Sequence, residues 1–242
     1  MRTTWRFALS AALAAGIGCA GGAQAGEPEA APNTLTEKEK ADGWKLIFDG
    51  KSTAGWRGFH RPAFPDKGWV VEDGALVHQP KGGGGDLVTA DMYESFELSF
   101  EWKVSEGANS GVFYHVTEDQ GAVYQTGPEY QVLHNQKHPD GRNPATSAAS
   151  CYAVYPPSKD MTKPQGEWNQ GRIVVDGKHV EHWLNGKKVL EFELDSDAVK
   201  EGIAKSKFKN DAGFGEHIEG HIMLTYHQDD CWSKNIKIRE LK

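Results

Sequence analysis

Cysteine is scarce: Cys19, Cys151 and Cys231 are the whole complement of a 242-residue chain. None stands in a C-x-x-C pair, so no redox motif or cysteine-based zinc site is encoded. H-E-x-x-H is missing, which removes the helical zinc pair of metalloproteases. G-x-S-x-G is missing too, and with it the usual serine nucleophile. "GKST" (Gly50–Thr53) resembles the tail of a phosphate-binding loop. The position five before Gly50 is Lys45, where that loop needs glycine, and no helix is expected after it, so nucleotide binding is excluded there. "GGGG" (Gly82–Gly85) reads as a flexible turn. Positive charge is also short, with 27 Lys and Arg against 34 Asp and Glu. That balance argues against nucleic acid or an anionic membrane as partner. No internal repeat is present, and no apolar run is long enough to span a bilayer.

What is present begins with a leader. Arg2 and Arg6 precede "FALSAALAAGIG", and "AQA" follows at Ala23–Ala25. A basic start, a short apolar stretch and small residues before the cut are the marks of a secretory signal peptide, here residues 1–25. The expected location is periplasmic or extracellular. Cys19 in "GIGC" offers a competing lipid-attachment site, with Gly16 where leucine is expected. Residues 26–42 are polar and Pro/Ala-rich and read as a disordered leader. Residues 43–242 then form one domain, large enough for a real core. Losing Arg2 and Arg6 takes the net charge from −7 to −9. Cys151 and Cys231 remain, and an exported protein can join them or bury both as free thiols.

The domain is a series of short alternating segments separated by turn residues. "SFELSFEWK" (Ser95–Lys103) puts Phe96, Leu98, Phe100 and Trp102 on one face, and Glu97, Ser99, Glu101 and Lys103 on the other. "WVVEDGALVH" and "GRIVVDGKHVEHWLNGKKVLEFE" turn at Asp73-Gly74, Asp176-Gly177 and Asn185-Gly186, strong hairpin signals. One helix is expected near residues 196–208. The fold class is all-β, a two-sheet antiparallel jelly-roll sandwich. Most tryptophans then belong to the core, while Trp56, Trp69 and Trp232 lie near loops where a ring can stack on a sugar.

"LIFDGKSTAGW", "NSGVFYH", "GPEYQVLHN", "GEWNQGRIVVDGKHVEHWLNGKKV" and "GHIMLTYH…NIKIREL" together resemble the 3-keto-disaccharide (3-keto-glycoside) hydrolase family, over Gly43 to Leu241. The resemblance implies a concanavalin A-like jelly roll, export, and cleavage of glycosides whose C3 hydroxyl a separate oxidoreductase has already oxidised. Family members usually carry aspartate where this chain has His134, and often arginine where it has His115.

A ketone at C3 acidifies the C2 proton, so cleavage can proceed by deprotonation, β-elimination at C1 and addition of water. The site then needs a base, a group to hold the enolate oxygen and an acid for the leaving oxygen. With apolar residues assigned to the core, the opposite parity gives Glu101, Lys103, His115, Glu129, Gln131, Thr225 and His227. If their strands are neighbours in one concave sheet, these side chains converge. Glu129 or His227 is the expected base, and His115 or Lys103 the enolate stabiliser. Glu101, Asn109, Gln131 and His134 are candidates to hold sugar hydroxyls. Trp168, inside "GEWN", is either a sugar-contacting ring or core. No cofactor is fixed by the residues, and a divalent metal stays open because His134 and His138 are spaced i, i+4, although at a strand end. A non-catalytic lectin-like module on the same fold is the alternative. A β-glucanase would need E-x-D-x-x-E on one strand, which is not found.

Overall fold

The computed structural model describes Met1 and residues 31–211 and 213–242. The signal-peptide reading and Cys19 fall on residues outside that range. The strands are β1 (Lys45–Leu46), β2 (Trp56–Gly58), β3 (Trp69–Glu72), β4 (Ala75–His78), β5 (Leu87–Thr89), β6 (Phe96–Val104), β7 (Asn109–Val116), β8 (Glu129–Leu133), β9 (Asn169–Asp176), β10 (His179–Leu184), β11 (Lys187–Glu193), β12 (His221–Leu224) and β13 (Cys231–Glu240). Two short helices accompany them, α1 (Glu37–Ala41) and α2 (Asp197–Lys205).

The strands form two antiparallel sheets. The larger runs β11-β10-β9-β6-β13-β4-β3, with β1 added on β13, and the smaller runs β2-β5-β12-β7-β8. This is the expected jelly-roll sandwich. At Asp73-Gly74 and Asn185-Gly186 both turn residues have positive φ (49° and 74°, 50° and 74°), the geometry that tight hairpins require. Phe96, Leu98, Phe100 and Trp102 of β6 meet Val112, Tyr114, Tyr130 and Val132 of the smaller sheet in the core. Each such side chain contributes about 1.5–3 kcal/mol through burial. Two buried tyrosines also tie the layers together. The Tyr130 hydroxyl donates to the Trp183 carbonyl at 3.0 Å, and the Tyr114 hydroxyl lies 3.1 Å from His182 Nε2. Tyr130 therefore points at the larger sheet, and its neighbours Glu129 and Gln131 point away from it.

Residues 31–42 are not a loose leader, which corrects the expectation for that segment. Thr36 and Glu39 form a capping box that starts α1, and the T-x-x-E spacing of this motif is visible in the sequence. Glu39 then pairs with Lys237 of β13. Asn33 donates to the Gly74 carbonyl at 2.8 Å and accepts from the Asn235 amide at 2.8 Å. Cys151 and Cys231 are both buried and free. No helix among the described residues is long and apolar enough to cross a membrane.

Candidate active site

The outer face of the smaller sheet holds a concentration of perturbed titratable groups, placed by the strand register. Glu129 stands opposite Phe113, Phe113 opposite Met223, and Met223 opposite Val88. Val88, Phe113 and Met223 pack with Val116 and Val123 into an apolar cluster of their own. The Glu129 carboxyl thus sits at the end of an apolar row. It leans over Gly111: a Cβ there would stand 2.0 Å from Glu129 Oε1 and 2.9 Å from Thr225 Oγ1. The absent side chain of Gly111 is the space the carboxyl occupies.

Glu129 is only 7% exposed. No described residue donates a hydrogen bond to its carboxyl, so no hydrogen bond compensates its burial. Burial raises its pKa to about 8; the nearby Lys207 charge opposes the rise, and Asp86 and Asp140 add to it. That value suits a group that must take and return a proton near neutrality.

Loops supply the surroundings. The Tyr152 amide donates to the Glu129 carbonyl at 3.0 Å, and its hydroxyl donates to Asp140 Oδ2 at 2.9 Å. Lys207, just past α2, is exposed and holds its ammonium 4.6 Å from the Tyr152 ring centre, with Phe208 and Tyr124 at 5.2 and 5.7 Å. His227 follows β12. Packing around the ring lowers its affinity for a proton, while Asp86 and Asp229 raise it. The net effect is a lowered pKa, with burial the largest cause. Asp86 accepts from the Tyr226 amide at 2.8 Å, and burial raises its pKa. Asn109 donates its amide to Asp229 at 3.0 Å, and its side-chain oxygen is buried without a partner among the described residues. That oxygen is left as an unsatisfied acceptor.

Of the residues expected here, Glu129, Gln131, Asn109 and His227 belong to this sheet and its edges. Gln131 is fully buried, and its amide is already engaged. Its Nε2 donates to the Thr146 carbonyl at 3.4 Å, and its oxygen accepts from the Val132 amide at 3.1 Å. It supports the 146–150 loop instead of contacting sugar. His134 is likewise occupied: its Nδ1 accepts from the Gly107 amide at 2.9 Å. His138 Nδ1 accepts from the Asp140 amide at 3.2 Å, so these two histidines fasten turns. Among the described residues, the group that could hold a metal is His179, Glu181 and Glu191, on the larger sheet and away from Glu129.

His115 does not reach the site. The β7–β12 register shifts between the Val116–His221 and Phe113–Met223 pairs, a bulge, and His115 has φ 54°. The extra residue turns His115 inward, where it lies 2.7 Å from the Glu94 carbonyl and 5.9 Å from the Phe96 ring. Glu101, Lys103 and Trp168 are also displaced. Glu101 and Lys103 alternate outward as expected, but β6 belongs to the larger sheet, whose outer face is on the far side of the sandwich. There the Lys103 ammonium sits 4.5 Å from the Trp232 ring and 5.1 Å from the Trp168 ring. Glu101 accepts from Asn235 at 2.6 Å. Trp56 and Trp69 are core, each 4% exposed. Asp86, Asp140, Tyr152 and Lys207 were not anticipated. They come from separate loops and share no spacing that would have marked them.

This arrangement has relatives. A family model described as a 3-keto-alpha-glucoside-1,2-lyase-like domain matches residues 43–239. A 3-keto-disaccharide hydrolase of Bacteroides thetaiotaomicron is 38% identical, the match covering 83% of this chain and 79% of that protein. A crystal structure from Parabacteroides distasonis, provisionally named a glycosyl hydrolase, superposes with a TM-score of 0.81 at 33% identity, over 88% of this chain and 100% of that one. A second structure from the same organism, provisionally named likewise, gives 0.65 at 28% identity over 82% and 99%. The matched span contains both sheets and every residue of the Glu129 cluster, and the chain belongs to the 3-keto-alpha-glucoside-1,2-lyase-like domain family.

Proposed function

We propose that the protein is an enzyme that cleaves 3-keto-glycosides, with Glu129 taking the C2 proton. The observation that carries this reading is the buried Glu129 carboxyl, without a hydrogen-bond donor among the described residues and with its pKa raised to about 8. In the ionised form it accepts the C2 proton, and the C2–H electron pair moves into the enolate. Lys207 supplies the positive charge for the enolate oxygen. Collapse of the enolate forms the C1–C2 double bond and breaks the bond from C1 to the leaving oxygen. That oxygen takes back from Glu129 the proton removed from C2, which a carboxyl with a pKa of about 8 can return. Water then adds, hydroxyl to C1 and proton to C2, and the 3-keto sugar is released. Asn109 orients a ring hydroxyl. The ketone is the product of a separate glycoside 3-oxidoreductase, and the N-terminal leader directs export, so the substrate is met outside the cytoplasm.

The test is to offer the purified protein a 3-keto-glucoside and its unoxidised parent in heavy water. Turnover of the ketone alone, with deuterium appearing at C2 of unreacted substrate, is the expected result. Equal hydrolysis of the parent would exclude elimination, and binding without turnover of either would return the lectin-like reading.

A further inference from the structure

The outer face of the larger sheet carries none of the Glu129 cluster, yet it displays half-buried tryptophans. Trp44 and Trp183 line a cavity of about 370 Å³ together with Ser99, Gln170, Arg172 and Lys237. Each indole is backed by a cation. The Arg172 guanidinium is 4.6 Å from the Trp183 ring centre, and that of Arg239 is 5.2 Å from Trp44. Glu97, whose side chain is 7% exposed, pairs with both arginines and fixes them. The Trp183 indole N–H also donates to Glu181 at 2.7 Å. Both rings are therefore held in place before any ligand arrives, which lowers the entropy cost of binding. The docked segment 31–44 closes one side of the cavity, through Trp44 and the Glu39–Lys237 pair.

We infer that this cavity is a second carbohydrate-binding site, which takes a short stretch of an unoxidised glycan and is separate from the catalytic face. A pyranose ring has an apolar C–H face and a rim of hydroxyls. The tryptophans match the first. The Gln170 amide, the Ser99 hydroxyl and the Arg172 guanidinium match the second with both donors and acceptors. An apolar ligand would strand these polar groups. A polyanion would find Arg172, Arg239 and Lys237 largely offset by Glu97 and Glu39, with only one net positive charge left among them. The volume is in the range of small-ligand sites. Occupancy of this face would hold the enzyme on a glycan and raise the local concentration of chain ends at the catalytic face.

The experiment is affinity electrophoresis of the wild-type protein through gels containing laminarin, xyloglucan, mixed-linkage glucan, xylan or dextran. Trp183→Ala and Gln170→Ala are run beside it, and turnover of a soluble 3-keto-glucoside is measured for all three. The expected result is retardation by at least one polysaccharide, weakened about tenfold or more in Trp183→Ala, with soluble turnover within about twofold of wild type. Gln170 is exposed, so its truncation keeps the fold and still weakens retardation, which decides the matter if Trp183→Ala does not fold. Retardation by none of the five, or retardation that neither substitution alters, overturns the inference. The readout is independent of the elimination mechanism, because it requires no oxidised sugar.

Discussion

Gly111→Ala tests the site more sharply than removal of any functional group. Gly111 does not have positive φ, so alanine meets no backbone penalty there. The whole cost falls on what the new methyl touches. Its Cβ would stand 2.0 Å from Glu129 Oε1, 2.8 Å from Cδ and 2.9 Å from Thr225 Oγ1. An ordinary contact needs about 3.4 Å, so the carboxylate oxygen must retreat by about 1.4 Å. A displacement of roughly 1 Å at a reacting group costs about a hundredfold in rate. Overpacking in a well-filled site costs about 1–3 kcal/mol of stability, offset by about 0.4–1 kcal/mol from the lost glycine flexibility. The expected variant is therefore folded, slightly less stable, and about a hundredfold slower in kcat. Turnover of a 3-keto-glucoside and a denaturant titration measure the two effects separately. Glu129→Asp in the same background gives a second reading. The shorter acid relieves the clash, so the double variant should be faster than additivity of the two single losses allows. Unchanged kcat in Gly111→Ala would refute the placement of the base, because no carboxyl can stay where it is once that methyl is present.

The remaining expectations concern charge. With a pKa of about 8 in the fold against an ordinary value of 4.5, Glu129 binds more protons folded than unfolded between those values. Its ionisation therefore costs stability as pH rises from about 4.5 to 8. Glu129→Gln should melt above wild type at pH 8, the gap closing towards pH 4.5, while its kcat falls by at least about a hundredfold. Wild-type kcat/KM should climb with pH through about 8 as the base ionises, and a flat profile would argue against this base. Lys207→Met removes the charge that restrains the Glu129 shift, so the rising limb should move to higher pH and kcat should fall, with partial recovery in Lys207→Arg. Lys103→Met, on the opposite sheet, is the control and should leave the profile in place.

Much of the fold was legible because the governing information is local. Strict alternation in β6, and Asp-Gly and Asn-Gly at the tips, are set by residues within a few positions of one another. The capping box at Thr36 and Glu39 is equally local. The composition of residues 26–42 points instead to disorder, because composition ignores a four-residue motif. Glu129 was legible for the same reason as β6: Tyr130 and Val132 claim the core, and their neighbours must face outward.

Parity by itself determines the side of a strand's own sheet that a residue faces. It carries no information on which sheet that strand joins, and so it grouped Glu101 and Lys103 with Glu129 although the sandwich sets them on opposite outer faces. One inserted residue at the β7–β12 bulge reversed the parity for His115, and nothing in "GVFYHV" marks that insertion. The proton affinity of Glu129 belongs wholly to the tertiary structure. It arises because an apolar row, a missing Gly111 side chain and the loops bearing Tyr152 and Lys207 surround a carboxyl that no donor among the described residues reaches. Desolvation depends on every atom nearby in space, and those atoms come from positions far apart along the chain.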